Sequence, residues 1–133
     1  MPEPYETWNR IFTKASKQGE AALTTVERTI YLANRFVIDL ELGGLTGALY
    51  NASHVLRPTA DALQAIGERT AATIVREAAD LLEPLLQRRF HTWKALLDAA
   101  HLTERLEPWD KRLTAKSEAM YSKLERFTTK HYQ

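Results

Sequence analysis

Four histidines, His54, His91, His101 and His131, are the only nitrogen ligands the chain offers a metal ion, and it contains no cysteine. A structural zinc site needs four such ligands in close array. No two of the histidines stand at HxxxH or HExxH spacing; Asp98 and His101 could share a helix face, but they supply two ligands at most. The sequence therefore predicts no metal and no metal-assisted hydrolysis. Without a thiol, disulfides, thiolate catalysis and cysteine-ligated clusters are excluded, which fits a reducing compartment. GxSxG, GxxxxGK[ST] and GxGxxG patterns are all absent, and five glycines are too few for a phosphate cradle. Asp39 and Glu41, two residues apart, fall on different faces of a helix and make a poor acid and base pair. Asp39 is better placed to meet Arg35 one turn earlier, as Arg76 can meet Asp80 and Lys94 can meet Asp98. The expectation is a protein that is not an enzyme and carries no cofactor.

The elements that position these residues read as helices. Apolar spacing is helical nearly throughout, and no run of four or more residues alternates as a half-buried strand does. Pro4 suits the first turn of a helix reaching about Gln18, with Tyr5, Trp8, Ile11 or Phe12, and Ala15 on one face, and Gly19 ends it. Thr24 or Thr25 offers an N-cap, and Glu27 stands three residues after Thr24 as in a capping box. The next helix is predicted to run to Leu42. Val26, Ile30, Ala33, Val37 and Leu40 mark one face, while Leu32, Phe36 and Ile38 lie outside it, so more than one side is buried. Gly43 and Gly44 stop it, and Leu45 to Asn51 reverses the chain. Pro58 begins a further run that Gly67 interrupts, Pro84 marks a boundary, and Leu102 to Pro108 reads as a loop. Stripes through Leu86, Phe90, Trp93, Leu97 and Ala100, and through Leu113, Met120, Leu124 and Phe127, complete the chain. The predicted fold is all-α: residues 1–133 as a single compact bundle of about six helices with short connections.

Charge and length narrow the function further. With 133 residues, 44% hydrophobic and 26% charged, the chain has the composition of a soluble globular domain with one core. Its N-terminus lacks the basic and apolar regions of a signal peptide, and no segment approaches a bilayer span, so a cytoplasmic protein without membrane contact is expected. Eighteen Lys plus Arg oppose seventeen Asp plus Glu, a net charge of +1. The balance conceals an uneven distribution. Pro58 to Pro84 carries Asp61, Glu68, Glu77, Asp80 and Glu83 against Arg69 and Arg76, whereas the chain from Leu85 onward is rich in Lys and Arg. Most of these charges suit solvated helix faces. Arg88, Arg89, Trp109, Lys111 and Arg112 are the candidate interface, with Trp109, after Pro108, expected to be the exposed aromatic.

Between Leu23 and Ala79 the order of features is distinctive. It runs Leu23-Thr24-Thr25-Val26-Glu27-Arg28, Asp39-Leu40-Glu41-Leu42-Gly43-Gly44-Leu45, Leu49-Tyr50-Asn51-Ala52-Ser53, Ala62-Leu63-Gln64-Ala65-Ile66-Gly67 and Arg76-Glu77-Ala78-Ala79. This resembles the DNA-mimic protein family, small all-helical bacterial domains mostly without assigned activity. Trp109-Asp110, with Tyr121, Leu124 and His131-Tyr132, is similar to that family's closing helix. The resemblance implies a candidate motif turn of Asp39, Gly43, Gly44 and Asn51. Leu42 stands where the family has the turn asparagine, Leu45 where it has an aromatic, and Gly47-Ala48 where it has glutamine-tyrosine. Turn-making alone explains the glycines and Asn51.

Acidic members of that family imitate the phosphates of duplex DNA, one charge per roughly 1.7 Å of axis. A chain with more basic than acidic residues cannot present such a surface, so mimicry is not expected here. The expected partner is another protein, with this chain as an inhibitor, a regulator or the immunity partner of a toxin. The alternative is nucleic-acid binding through the basic C-terminal part.

Overall fold

A computed structural model describes residues 4–88, 92–99 and 101–132. Among these are seven α-helices: α1 Pro4–Gln18, α2 Thr25–Asn51, α3 Leu56–Ala65, α4 Arg69–Leu86, α5 Trp93–Ala99, α6 Leu102–Thr114 and α7 Ser117–His131, with a 3-10 turn at Glu20–Ala22 and no strand. The all-α expectation holds, with one helix more than the six expected. α2 is the central element, packing against α1, α3, α6 and α7. Its wide apolar surface is the reason: Ile30, Leu32, Ala33, Phe36, Val37 and Leu40 are all buried, as are Leu45, Ala48 and Leu49 beyond its kink. α3 and α4 form the other tight pair. Both are rich in buried alanines, Ala60, Ala62, Ala71, Ala72, Ala78 and Ala79, small side chains that let neighbouring helices approach closely.

Local signals set several boundaries as expected. α1 begins at Pro4 and ends before Gly19, whose φ of 88° is in the left-handed region. The capping box is present: the Thr24 hydroxyl accepts from the Glu27 N–H at 3.2 Å, and the Glu27 carboxylate accepts from the Thr24 N–H at 2.9 Å. Gly67, at φ 94°, separates α3 from α4.

Two proline readings are corrected. Pro84 lies inside the last turn of α4 rather than before a new helix, and Leu102 to Pro108 is helix, not loop. A proline inside a helix removes one N–H and crowds the carbonyl four residues earlier. Here those carbonyls belong to Asp80 and Glu104, and both residues, like both prolines, lie on exposed helix faces where water can replace the missing bond. Trp109 consequently sits within α6, half-buried against the core, instead of exposed at a helix start. The expected Arg35–Asp39 pair is present at 4.0 Å, whereas Arg76 reaches across to Asp61 on α3 at 2.9 Å.

Glu27 ties distant parts of this frame together. Besides capping α2, its carboxylate meets Lys14 Nζ of α1 at 2.8 Å and accepts from the Tyr132 hydroxyl at 3.0 Å, while remaining only 5% exposed. The Lys14 ammonium and then the Thr24 N–H hold its pKa down at about 2, against burial, which acts in the opposite direction. Because the folded value lies below the unfolded one, this stabilisation is complete above about pH 5 and is lost as pH falls towards 2. Urea unfolding between pH 7 and pH 2 should reveal a loss on the order of 3 kcal/mol from this group. Glu27→Gln should be less stable at pH 7 and should flatten that part of the slope.

Candidate functional site

The motif turn is built around a break in α2. Gly44, at φ 68° and ψ −173°, is the one non-helical residue inside it, and helix continues on both sides from Thr25 to Asn51. The segment 45–51 is therefore a short second stretch of helix, set off from the first by the kink. A straight helix would leave Asp39 and Asn51 about 18 Å apart along the axis. Instead both line one cleft, together with Glu20, Arg35 and Thr59. That cleft has only about 10 Å³ of free volume, room for a single water molecule. No histidine lines it.

The new helix start at Leu45 needs a partner for its first N–H groups. Asp110, from α6, provides one: its Oδ1 accepts the Leu45 N–H at 2.8 Å and the Thr114 hydroxyl at 3.2 Å. Its negative charge also suits the positive end of the helix. The Asp110 carboxylate comes so close that a Cβ on Gly44 would lie 3.1 Å from Oδ1. Gly43 differs, since a Cβ there would meet nothing within 4 Å. The structure thus separates the four motif residues. Gly44 is a close-approach glycine, Asp39 and Asn51 share a filled cleft, and Gly43 is exposed at the corner. Sequence spacing supplied no sign that Asp110, 65 residues away, completes the turn; Asp110 lies on α6 and not on the closing helix α7.

Lys111 and Arg112 are exposed on α6, and Lys111 pairs with Glu107 at 3.3 Å. Trp109 is half-buried, Arg88 is exposed beyond α4, and Arg89 lies outside the described residues. A denser basic groove lies elsewhere, between the α3–α4 corner and α7. It is lined by Ile66, Gly67, Lys123, Arg126, Phe127, Lys130 and His131 and encloses about 350 Å³. The signal in the sequence was Lys123, Arg126 and Lys130 at helical spacing. The acidic stretch, in turn, is largely neutralised: Asp80 and Glu83 hold Arg57 at 2.8 and 3.0 Å, Asp61 holds Arg76, and buried Glu68 holds Lys123 at 3.0 Å.

A second concave site went unnoticed in the sequence because residues of three helices build it. Tyr5, Trp8, Asn9 and Phe12 of α1, Asn34 and Ile38 of α2 and Tyr121 of α7 line a largely apolar cleft of about 480 Å³. Trp8 is fixed by its Nε1, which donates to Thr128 Oγ1 at 2.8 Å, and its ring stacks 6.3 Å from that of Tyr121. The Tyr121 hydroxyl faces Glu41 at 3.4 Å; burial, then that carboxylate, pushes its pKa up to about 12, so it is a neutral phenol at ordinary pH. At the rim Tyr5 is 65% exposed. Leu42, one turn beyond Ile38 on the same face of α2, is 83% exposed.

Among the described residues no group of three or more histidine, aspartate or glutamate side chains is placed to hold a metal, and no helix is long and apolar enough to cross a membrane. The fold and the kinked central helix define an all-helical bundle domain. The chain belongs to the family described as DMP19-like protein, whose sequence profile matches residues 21–131. That span begins after α1, so the α1 wall of the aromatic cleft lies outside it. No curated protein and no solved structure matches the chain.

The kink yields a paired prediction. Gly44→Ala should cost about 2 kcal/mol, from the left-handed φ and the displaced Asp110 carboxylate, while Gly43→Ala should be neutral or stabilising by up to about 1 kcal/mol. Asp110→Ala should cost about 1–2 kcal/mol, as removal of a helix cap does. Urea midpoints of the three variants, compared at constant slope, test all three values.

Proposed function

We propose that this domain is a non-enzymatic module that binds another protein, as an inhibitor, a regulator or the immunity partner of a toxin. The observation that carries the reading is the apolar rim formed by Leu42 and Tyr5 beside the aromatic cleft. A leucine 83% exposed contributes nothing to the core, and it stands on a rigid, capped helix next to concave apolar surface. Such juxtaposition is what a protein contact uses for its anchoring residues. The small volume between Asp39 and Asn51 argues against a substrate site at the motif turn. Family membership alone would suggest DNA mimicry, but a net charge of +1 and the ion-paired acidic stretch argue against it. A cytoplasmic setting is part of the same proposal, in keeping with the cysteine-free sequence.

The test is affinity capture from the native host followed by reconstitution with the purified partner. Leu42→Asp should bind that partner at least tenfold more weakly while keeping the native circular dichroism spectrum. The reading fails if the native domain retains no stoichiometric protein, or if the variant binds as well as the native chain.

The basic groove on α7 favours a second reading, nucleic-acid binding. Arg126, Lys130 and His131 beside the Phe127 ring offer phosphate contacts and a surface for stacking. If this reading holds, affinity for a single-stranded oligonucleotide should fall roughly tenfold between 50 and 200 mM salt, as expected for about two or three released counterions. Salt-independent binding excludes it.

A further inference from the structure

The groove between the α3–α4 corner and α7 has a make-up that narrows what it can hold. No carboxylate lines it. Lys123 is committed to the fold: its Nζ lies 3.0 Å from buried Glu68 and donates to the Gly67 carbonyl at 3.2 Å, which braces one side of the groove. Arg126 and Lys130 are exposed and have no ion-pair partner among the described residues. The Arg126 Nε donates to the Ser122 carbonyl at 3.4 Å, steadying the guanidinium while its two terminal nitrogens stay free. Beside these cations the rings of Phe127 and His131 lie 4.4 Å apart, tilted by 38°, with His131 the more exposed of the two.

We propose that this groove seats one nucleotide unit, a base with a phosphate on either side: the base extends the Phe127–His131 stack, and the phosphates meet Arg126 and Lys130. The proposal rests on the nucleic-acid reading above and sets its footprint. Two unpaired cations without a neighbouring carboxylate select an anionic partner. The paired rings select a flat base over an acidic side chain, which has no face to stack. Arg126 and Lys130, four residues apart on α7, are separated by about 6 Å along the axis, so phosphates flanking a single base can be met together. A volume of about 350 Å³ lies near the lower end for small-molecule sites and suits one unit, not a run of bases. The same chemistry is carried by a free nucleoside bisphosphate and by one unit within a single strand.

The experiment titrates five probes into the full chain at low salt while the amide signals of α7 are followed by nuclear magnetic resonance. The probes are thymidine 3′,5′-bisphosphate, thymidine, a thymidine strand of about ten nucleotides, an abasic strand of the same length and a glutamate peptide of matching charge. The bisphosphate should shift the signals of Arg126 to His131 saturably and bind within about tenfold of the strand, the gain that about ten equivalent registers give by mass action. Within that range, tighter binding of the bisphosphate assigns the site to a free nucleotide, and weaker binding assigns it to a unit of a strand. Thymidine and the peptide should bind about tenfold more weakly than the bisphosphate, and the abasic strand about fivefold more weakly than the thymidine strand. Arg126→Ala and Lys130→Ala, both at exposed positions, should each weaken the bisphosphate about fivefold with an unchanged circular dichroism spectrum. A strand that binds more than about tenfold more tightly than the bisphosphate overturns the single-unit footprint and leaves the nucleic-acid reading standing. An abasic strand or glutamate peptide that binds as well as its nucleotide counterpart overturns the base seat. Absence of binding by both bisphosphate and strand overturns the inference and that reading together.

Discussion

A charge-assisted hydrogen bond, from the Leu45 N–H to Asp110, caps the helix start that the kink creates inside the central helix. The kink at Gly44 exposes a fresh helix start inside the bundle, where unsatisfied N–H groups are costly. Asp110 answers that need from another helix and thereby fixes where α6 lies against α2. Leu45, Ala48 and Leu49, just beyond the kink, are fully buried. The corner therefore acts as a tertiary joint. Its parts are a glycine with positive φ, a carboxylate at van der Waals distance, and the hydroxyl of Thr114 steadying that carboxylate.

What could be read in the sequence was whatever depends on neighbours in the chain. The capping box at Thr24 and Glu27, the helix start at Pro4 and the glycine stops at 19 and 67 follow from local stereochemistry, and each is where spacing put it. The wide apolar surface of α2 likewise announced a central helix. Prolines misled, because their effect depends on which way the crowded carbonyl faces, and that is set by packing. Pro84 and Pro108 lie on solvent faces and so do not end their helices. Trp109 was misplaced for the same reason. Leu45 meets Asp110 from 65 residues away, and Glu27 meets Lys14 and Tyr132 besides its local cap, so no short window along the chain contains these contacts.

The charge pattern shows the same limit in a different form. Along the sequence an acidic middle and a basic end look like two poles. In three dimensions Arg57 and Arg76 clasp the acidic side chains of the α3–α4 pair, and Lys123 reaches from α7 to Glu68. The exposed pairs, those of Arg57 and Arg76, add little stability. Their effect is on what the surface presents: the acidic stretch is muted, while α7 keeps a basic groove around Phe127. The aromatic cleft lies apart from both, between α1, α2 and α7.

Glu27 gives the bundle a property that its helix order hides. Lys14 near the end of α1 and Tyr132 just after α7 meet on the same carboxylate, and Trp8 is bonded to Thr128 beside them. The first and last helices are thus fastened to each other as well as to the centre. Terminal helices usually fray independently. Here Lys14 and Tyr132 share Glu27, and Trp8 is bonded to Thr128, contacts that favour the two helices ordering together and that brace the α1 wall of the aromatic cleft.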